Sequence, residues 1–307
     1  MTAPGGRSVQ PGLLLVDKEG DWTSHDVVAK ARGILGTKKV GHAGTLDPMA
    51  TGLLILGVES ATKLLTYIVG ANKTYLATIR LGAATITDDA EGEITQQADA
   101  AAVATITLPQ IEQAIAGLRG EIMQVPSSVS AIKVNGQRAY AAVRGGNEVK
   151  LQARPVSVSK FEILGEPRLV DGFLDIDVCV DCSSGTYIRA LARDLGRALG
   201  VGGHLTALRR TKIGEYSVGD SKKLSELTRE NVELLPLTEA AKAIFPELPL
   251  SAQDEIDIRH GKRLACPPSV SGSVAAIDAN NNLVAVLEKS GKQLKSAVVF
   301  APQGTAE

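Results

Sequence analysis

The stretch FLDIDVCVDC, residues 173–182, alternates so regularly that few backbones can carry it. On an extended strand Leu174, Ile176, Val178 and Val180 point one way, and Asp175, Asp177 and Asp181 the other. The sequence that follows, TYIRALARDLGRALG, places Ile188, Leu191, Leu195, Ala198 and Leu199 on one helical stripe. Arg189, Arg193 and Arg197 recur every four residues along another face. Strands and helices mix along the chain without regular βαβ alternation, so the large domain is expected to be α+β.

Other segments support this reading. GLLLVDKEG predicts a strand and turn, and TSHDVVAKARGIL a helix capped by Thr23 or Ser24. A glycine-rich loop is expected over residues 41–57, then a helix over SATKLLTYIVG that stops at Gly70. KTYLATIRLG alternates as a strand, and ATITDDAEGEI is an acidic turn with hairpin character near Glu91-Gly92. TLPQIEQAIAGLRG has Pro109 near a helix start and Gly120 after its end. An Asn-Gly turn signal follows at 135–136. A boundary is expected near 240–250, where Pro246 and Pro249 fall, ahead of a strand-dominated tail with a triple-Asn turn. The expected organisation is a disordered lead-in over 1–11, a large domain over 12–245, and a β-rich domain over 246–307.

With 307 residues and 44% hydrophobic content, the chain can bury a sizeable core, built mostly from aliphatic side chains because aromatics make up only 3%. The longest aliphatic run, Leu53 to Leu56, is far too short for a membrane span, and the N-terminus has no secretory pattern. Three cysteines argue against a disulfide framework and for a reducing, cytoplasmic setting. Cys179 and Cys182 lie three apart on a strand and face opposite ways, so no metal site is expected there. The net charge of −1 is unevenly spread. Residues 30–80 carry seven Lys/Arg against two acids, residues 119–160 repeat that count, and 186–212 carry six against one. On charge alone such blocks fit either a basic face, the footprint of a polyanion partner, or cations that merely solvate surface helices.

Asp47 is the only acid in GHAGTLDPMATGLLILG, residues 41–57. The stretch lacks the Gly-Lys-Ser/Thr of a phosphate-cradling loop and the G-x-G-x-x-G of a dinucleotide site. The next carboxylate, Glu59, is twelve residues on, which disfavours magnesium-assisted aspartyl-phosphate or paired-carboxylate chemistry. Taken alone, Asp47 reads as a turn or helix cap.

The whole constellation points elsewhere. Gly41, His42, Gly44, Thr45, Leu46, Asp47, Pro48, Ala50, Gly52 and Leu54 fill the pattern G-H-x-G-[TA]-L-D-P-x-A-x-G-x-L, and the chain resembles the bacterial tRNA pseudouridine-55 synthase (TruB) family. VDKEGDWTSHDVV, KTYLATIRLG, PSSVSAIKVNGQRAY, ARP, CSSGTYIRALARDLG and GGHLTALRRTKIGEY follow in family order, so the resemblance covers residues 12 to about 218. One departure stands out: the family opening Lys-Pro-x-Gly is here Lys18-Glu19-Gly20-Asp21.

The resemblance implies a pseudouridine-synthase-type mixed, largely antiparallel sheet flanked by helices and loops, with a small PUA-like C-terminal domain; it makes 12–245 the catalytic domain, 83–118 a candidate RNA-contacting insertion and 246–307 an RNA-binding domain. It also implies a cofactor-free, metal-free isomerisation that detaches a T-loop uracil, turns it and rejoins it through carbon. Asp47 matches the catalytic aspartate, acting either as nucleophile at the anomeric carbon or as base toward the 2′ carbon. Pro48 pre-sets its backbone toward extended geometry. By the same resemblance Arg189 pairs with that carboxylate, Tyr75 stacks on the base and Tyr187 lines the opposite side, where it could handle the C5 proton. Leu208 forms an apolar wall, and His42 fills the space the extracted base leaves. Lys18, in the opening motif, is read as scaffold rather than chemistry, with its role left open. The expected partner is tRNA, held by its T arm and at its acceptor end by the tail, with the chain acting as a monomer. The competing readings are a non-catalytic tRNA-folding chaperone on the same scaffold and, more remotely, an RNA-independent metabolic enzyme with an aspartate nucleophile.

Overall fold

A computed structural model describes residues 9–127, 133–134, 137–138 and 151–302. The Asn-Gly turn at 135–136 and most of the motif around it lie outside the described residues. Contacts divide the chain into two compact units. One holds the chain up to Asp47, Leu53–Val69 and Gly214 onward; the other holds Pro48–Gly52 and Gly70–Ile213.

In the first unit, β1 (Gly12–Lys18) leads into α1 (Ser24–Leu35). Thr23 is the cap: its hydroxyl accepts from the Asp26 N–H at 3.1 Å, while the Asp26 carboxylate accepts from the Thr23 N–H at 3.2 Å. Gly36, left-handed at φ 72°, ends the helix. The stretch expected to be a loop is instead two antiparallel strands, β2 (Val40–Ala43) and β3 (Thr51–Val58), with His42 opposite Leu56. Only 44–50 remains irregular. The correction has a packing cause: Leu53 to Leu56 are all 0% exposed, and a run buried on both faces of a sheet does not alternate. Likewise, the single helix expected before Gly70 is a 3-10 turn, Glu59–Leu64, followed by a short α2 (Leu65–Gly70).

The second unit is built on an antiparallel sheet. Its strands are β4 (Lys73–Leu81), β7 (Gly120–Gln124), β8 (Arg154–Val170), β9 (Phe173–Cys182) and β10 (Gly203–Ile213), in the order β10-β4-β9-β8-β7. A hairpin of β5 (Ala83–Thr85) and β6 (Ile94–Gln97) carries the predicted acidic turn. Two short helices follow, α3 (Ala100–Ala104) and α4 (Leu108–Ala116). Gly117 caps α4 rather than Gly120, which opens β7. The strand that opened the sequence reading becomes β9, with Leu174, Ile176, Val178 and Val180 buried. The helix after it is α5 (Ile188–Ala198). Its arginine row does not stay on one surface: Arg189 is buried, Arg193 half-buried and Arg197 exposed.

The tail counts with the first unit. After α6 (Leu237–Lys242) come β11 (Glu247–Pro249), α7 (Ala252–Arg259), β12 (Val274–Ile277), β13 (Leu283–Ser290) and β14 (Gln293–Val299). With Leu264–Ala265 these strands form a five-stranded sheet. The tail has a core of its own that includes Ile258, Val274, Val284, Leu287 and Leu294. Lys63 ties it to the preceding fold, donating to the Val299 carbonyl at 3.2 Å beneath the Phe300 ring.

Candidate active site

Asp47 lies on the connection between β2 and β3, half-buried. Gly44 at φ 77° and Gly52 at φ 99° bracket it in a backbone region that disfavours other residues. At Gly52 an added Cβ would stand 2.2 Å from the Arg210 carbonyl oxygen, so no side chain fits there. The residue before Asp47 is held from α1. Ser24 is 1% exposed, and its hydroxyl accepts from the Leu46 N–H at 2.9 Å and donates to the Leu46 carbonyl at 3.2 Å. With both polar groups of Leu46 bound to one buried hydroxyl, the peptide leading into the aspartate has little freedom. Ser24 therefore positions this bend, while Thr23 does the capping.

His42 lies on β2 with its ring edge-to-face against His25, centroids 5.6 Å apart. Lys18, at the end of β1, is fully buried, and its ammonium donates to the carbonyls of Glu19 at 2.9 Å and Trp22 at 2.8 Å. These contacts fold the chain back at residues 19–22, where Asp21 takes φ 66°.

The other four predicted residues belong to the second unit. Tyr75, 7% exposed, sits on β4 between Val180 of β9 and Arg210 of β10. Leu208, also 7% exposed, pairs with Ala77 on the neighbouring strand. Leu208 also lines a groove of about 540 Å³ with Met49, Thr51, Leu76 and Thr78. Lys73, at the start of β4, donates to the Ala71 carbonyl at 2.6 Å. Burial, reinforced by the Arg210 charge, pulls its ammonium down to about 8.

Tyr187 is the N-cap residue of α5, and Arg189 lies in the first turn. The Arg189 guanidinium, 5% exposed, donates to the Thr87 carbonyl at 2.9 Å and to the Asp89 carboxylate at 3.2 Å. One turn on, Arg193 meets Asp88 at 3.2 Å. Burial holds the Asp88 carboxyl above its ordinary range despite that cation. The sequence marked Asp89 only as part of an acidic turn, and nothing local singled it out as a partner for Arg189. Gln124, which binds the Tyr187 backbone, left no sequence signal either. Among the described residues, no group of three or more His, Cys, Asp or Glu could hold a metal ion, and no helix is long and apolar enough to cross a membrane.

The site residues fall within segments shared with known proteins. Residues 32–188 match the model of the TruB family pseudouridylate synthase N-terminal domain. Residues 189–237 match the tRNA pseudouridylate synthase B C-terminal domain, and 245–301 the C-terminal model of tRNA pseudouridine synthase II. This chain belongs to the TruB family.

TruB-family relatives are similar over nearly the full length. A tRNA pseudouridine synthase B of Leifsonia xyli subsp. xyli (strain CTCB07) is 57% identical over 94% of this chain and 96% of its own. One from Arthrobacter sp. (strain FB24) is 54% identical over 95% and 97%. Among solved structures, the fold resembles a chain in an H/ACA RNP bound to a substrate RNA containing 2′-deoxyuridine. That match has a TM-score of 0.71 and 25% identity, covering 96% of this chain and 87% of that one. A chain in a Cbf5-Nop10-Gar1 complex gives a TM-score of 0.71 and 26% identity, covering 96% and 86%. The large mixed sheet and β-rich C-terminal domain are those of a TruB-type pseudouridine synthase, as the sequence predicted.

Proposed function

We propose that this chain is a tRNA pseudouridine(55) synthase that extracts the T-loop uridine and isomerises it through Asp47. The observation that carries the reading is the bend around that acid: a complete family signature, bracketed by two left-handed glycines and held from behind by Ser24. A carboxylate so constrained suits either attack on the anomeric carbon or removal of a 2′ proton, since both need a fixed, ionised group. The Arg189 guanidinium is the proposed partner that keeps Asp47 charged in a closed site. Extracting a base costs a few kcal/mol. Stacking on a ring such as Tyr75 returns roughly 1–3 kcal/mol, with His42 filling the vacated space. Tyr187 and Leu208 line the remaining sides. Residues 12–245 carry the chemistry and grip the T arm, and 246–307 hold the acceptor end, in a monomer needing no cofactor.

The test uses an unmodified tRNA transcript, with pseudouridine mapped by a carbodiimide-dependent reverse-transcription stop. The intact chain is expected to give one stop in the T loop. Asp47→Asn should bind the transcript as tightly and give none. Full turnover by that variant would remove Asp47 from the chemistry.

A further inference from the structure

We propose that Gln124 is a positioning residue for the reaction, fixing the backbone of Tyr187 and with it the heading of the Tyr187 ring. The proposal rests on the reading of Tyr187 as a residue that faces the uridine.

Gln124 ends β7 and is 2% exposed. Its Oε1 accepts from the Tyr187 N–H at 2.8 Å, and its Nε2 donates to the Tyr187 carbonyl at 3.0 Å. One side-chain amide thus makes both bonds that a neighbouring strand would make to a residue, across 63 positions of sequence. The two bonds grip the peptide groups on either side of the Tyr187 Cα. That carbonyl also accepts the first helical bond of α5, from the Leu191 N–H at 3.2 Å. Tyr187 sits at φ −102°, ψ 110°, extended rather than helical, and its side chain makes no capping bond. Its ring is therefore not used to start the helix, and its direction follows from a backbone that Gln124 holds.

A second tether lies nearly two turns along. Arg193 donates to the Val125 carbonyl at 2.7 Å, so the end of β7 is fastened to α5 at two levels, on either side of Arg189. A buried amide is a costly choice where an apolar side chain would fill the space. Here both of its polar ends are committed to one residue, the one expected to touch substrate.

Two variants test this. Gln124→Met keeps length and volume and loses both bonds. Gln124→Glu can reproduce them only when protonated, with O–H as donor and C=O as acceptor. Ionised, it sets a negative charge against the Tyr187 carbonyl. Burial should raise this carboxyl into an accessible range. Single-turnover pseudouridine formation and tRNA affinity are measured from about pH 5.5 to about pH 8.5, each relative to the unaltered chain at the same pH. Gln124→Met is expected to slow the single-turnover step by at least about 10-fold and leave affinity within about two-fold, as loss of orientation predicts. Gln124→Glu should match it at alkaline pH and recover toward the unaltered rate as pH falls. A rate for Gln124→Met close to that of the unaltered chain, or a Gln124→Glu ratio that stays flat with pH, overturns the proposal. Should Gln124→Met fail to fold, the Gln124→Glu series decides alone, because a purely structural role gives no acid recovery. Absence of product from the unaltered chain would instead overturn the proposed function, so the two failures are distinct.

Discussion

Asp21 occupies φ 66°, a left-handed conformation that costs an L residue roughly 1–2 kcal/mol. Counted from Lys18, it stands where the family opening Lys-Pro-x-Gly has its glycine. Aspartate tolerates this region better than most side chains, which lets the turn survive the exchange. Asp21→Gly is expected to stabilise the chain by about 1 kcal/mol, seen as a higher urea midpoint at unchanged slope. A lower midpoint would show that the Asp21 side chain itself supports the turn. The signature acid and its neighbours stand out in the sequence because they are crowded into one short stretch. The residues that hold the site stayed hidden for the opposite reason. Ser24 acts across 22 positions, Gln124 across 63 and Asp89 across 100, and no local pattern records such contacts.

Among the elements, β9 and α5 were legible because one face of each is wet, so periodicity separates strand from helix. β3 was not. Its residues from Gly52 to Val58 are all buried, and the pattern that distinguishes a strand disappears. The glycines suggested a loop, whereas Gly52 is there for contact. Thr51 and Gly52 pair in parallel with Arg209 and Arg210, at a distance that leaves no room for a methyl group. Gly52→Ala adds a backbone clash to a left-handed φ of 99° and is expected to cost at least about 2 kcal/mol. Thermal unfolding would measure it. A variant that melts with the unaltered chain would mean the two strands can move apart at no cost.

For the molecule as a whole, the three basic blocks overstate the surface available to RNA. Lys73, Arg189 and Arg210 are buried. Arg80 meets Asp175 at 2.7 Å, and Arg193 meets Asp88 and Asp194. Charge counts read from sequence cannot separate a solvated cation from one committed to the interior. Exposed residues such as Lys38, Arg197 and Lys212 remain for phosphate contact. If about four phosphates are neutralised, tRNA affinity should fall roughly 10²-fold between about 50 and 200 mM salt. Filter binding across that range checks it, and an affinity indifferent to salt would remove the electrostatic grip. The strand-rich character of the tail was legible in the sequence, but its grouping with the first strands was not.

The Lys18 ammonium has one more implication. Carbonyl oxygens are common to every amino acid, so a cation that reads them at Glu19 and Trp22 is indifferent to the side chains there. Exchanges at these two positions that keep the backbone path are therefore expected to leave the turn in place, whereas loss of the lysine removes both bonds at once.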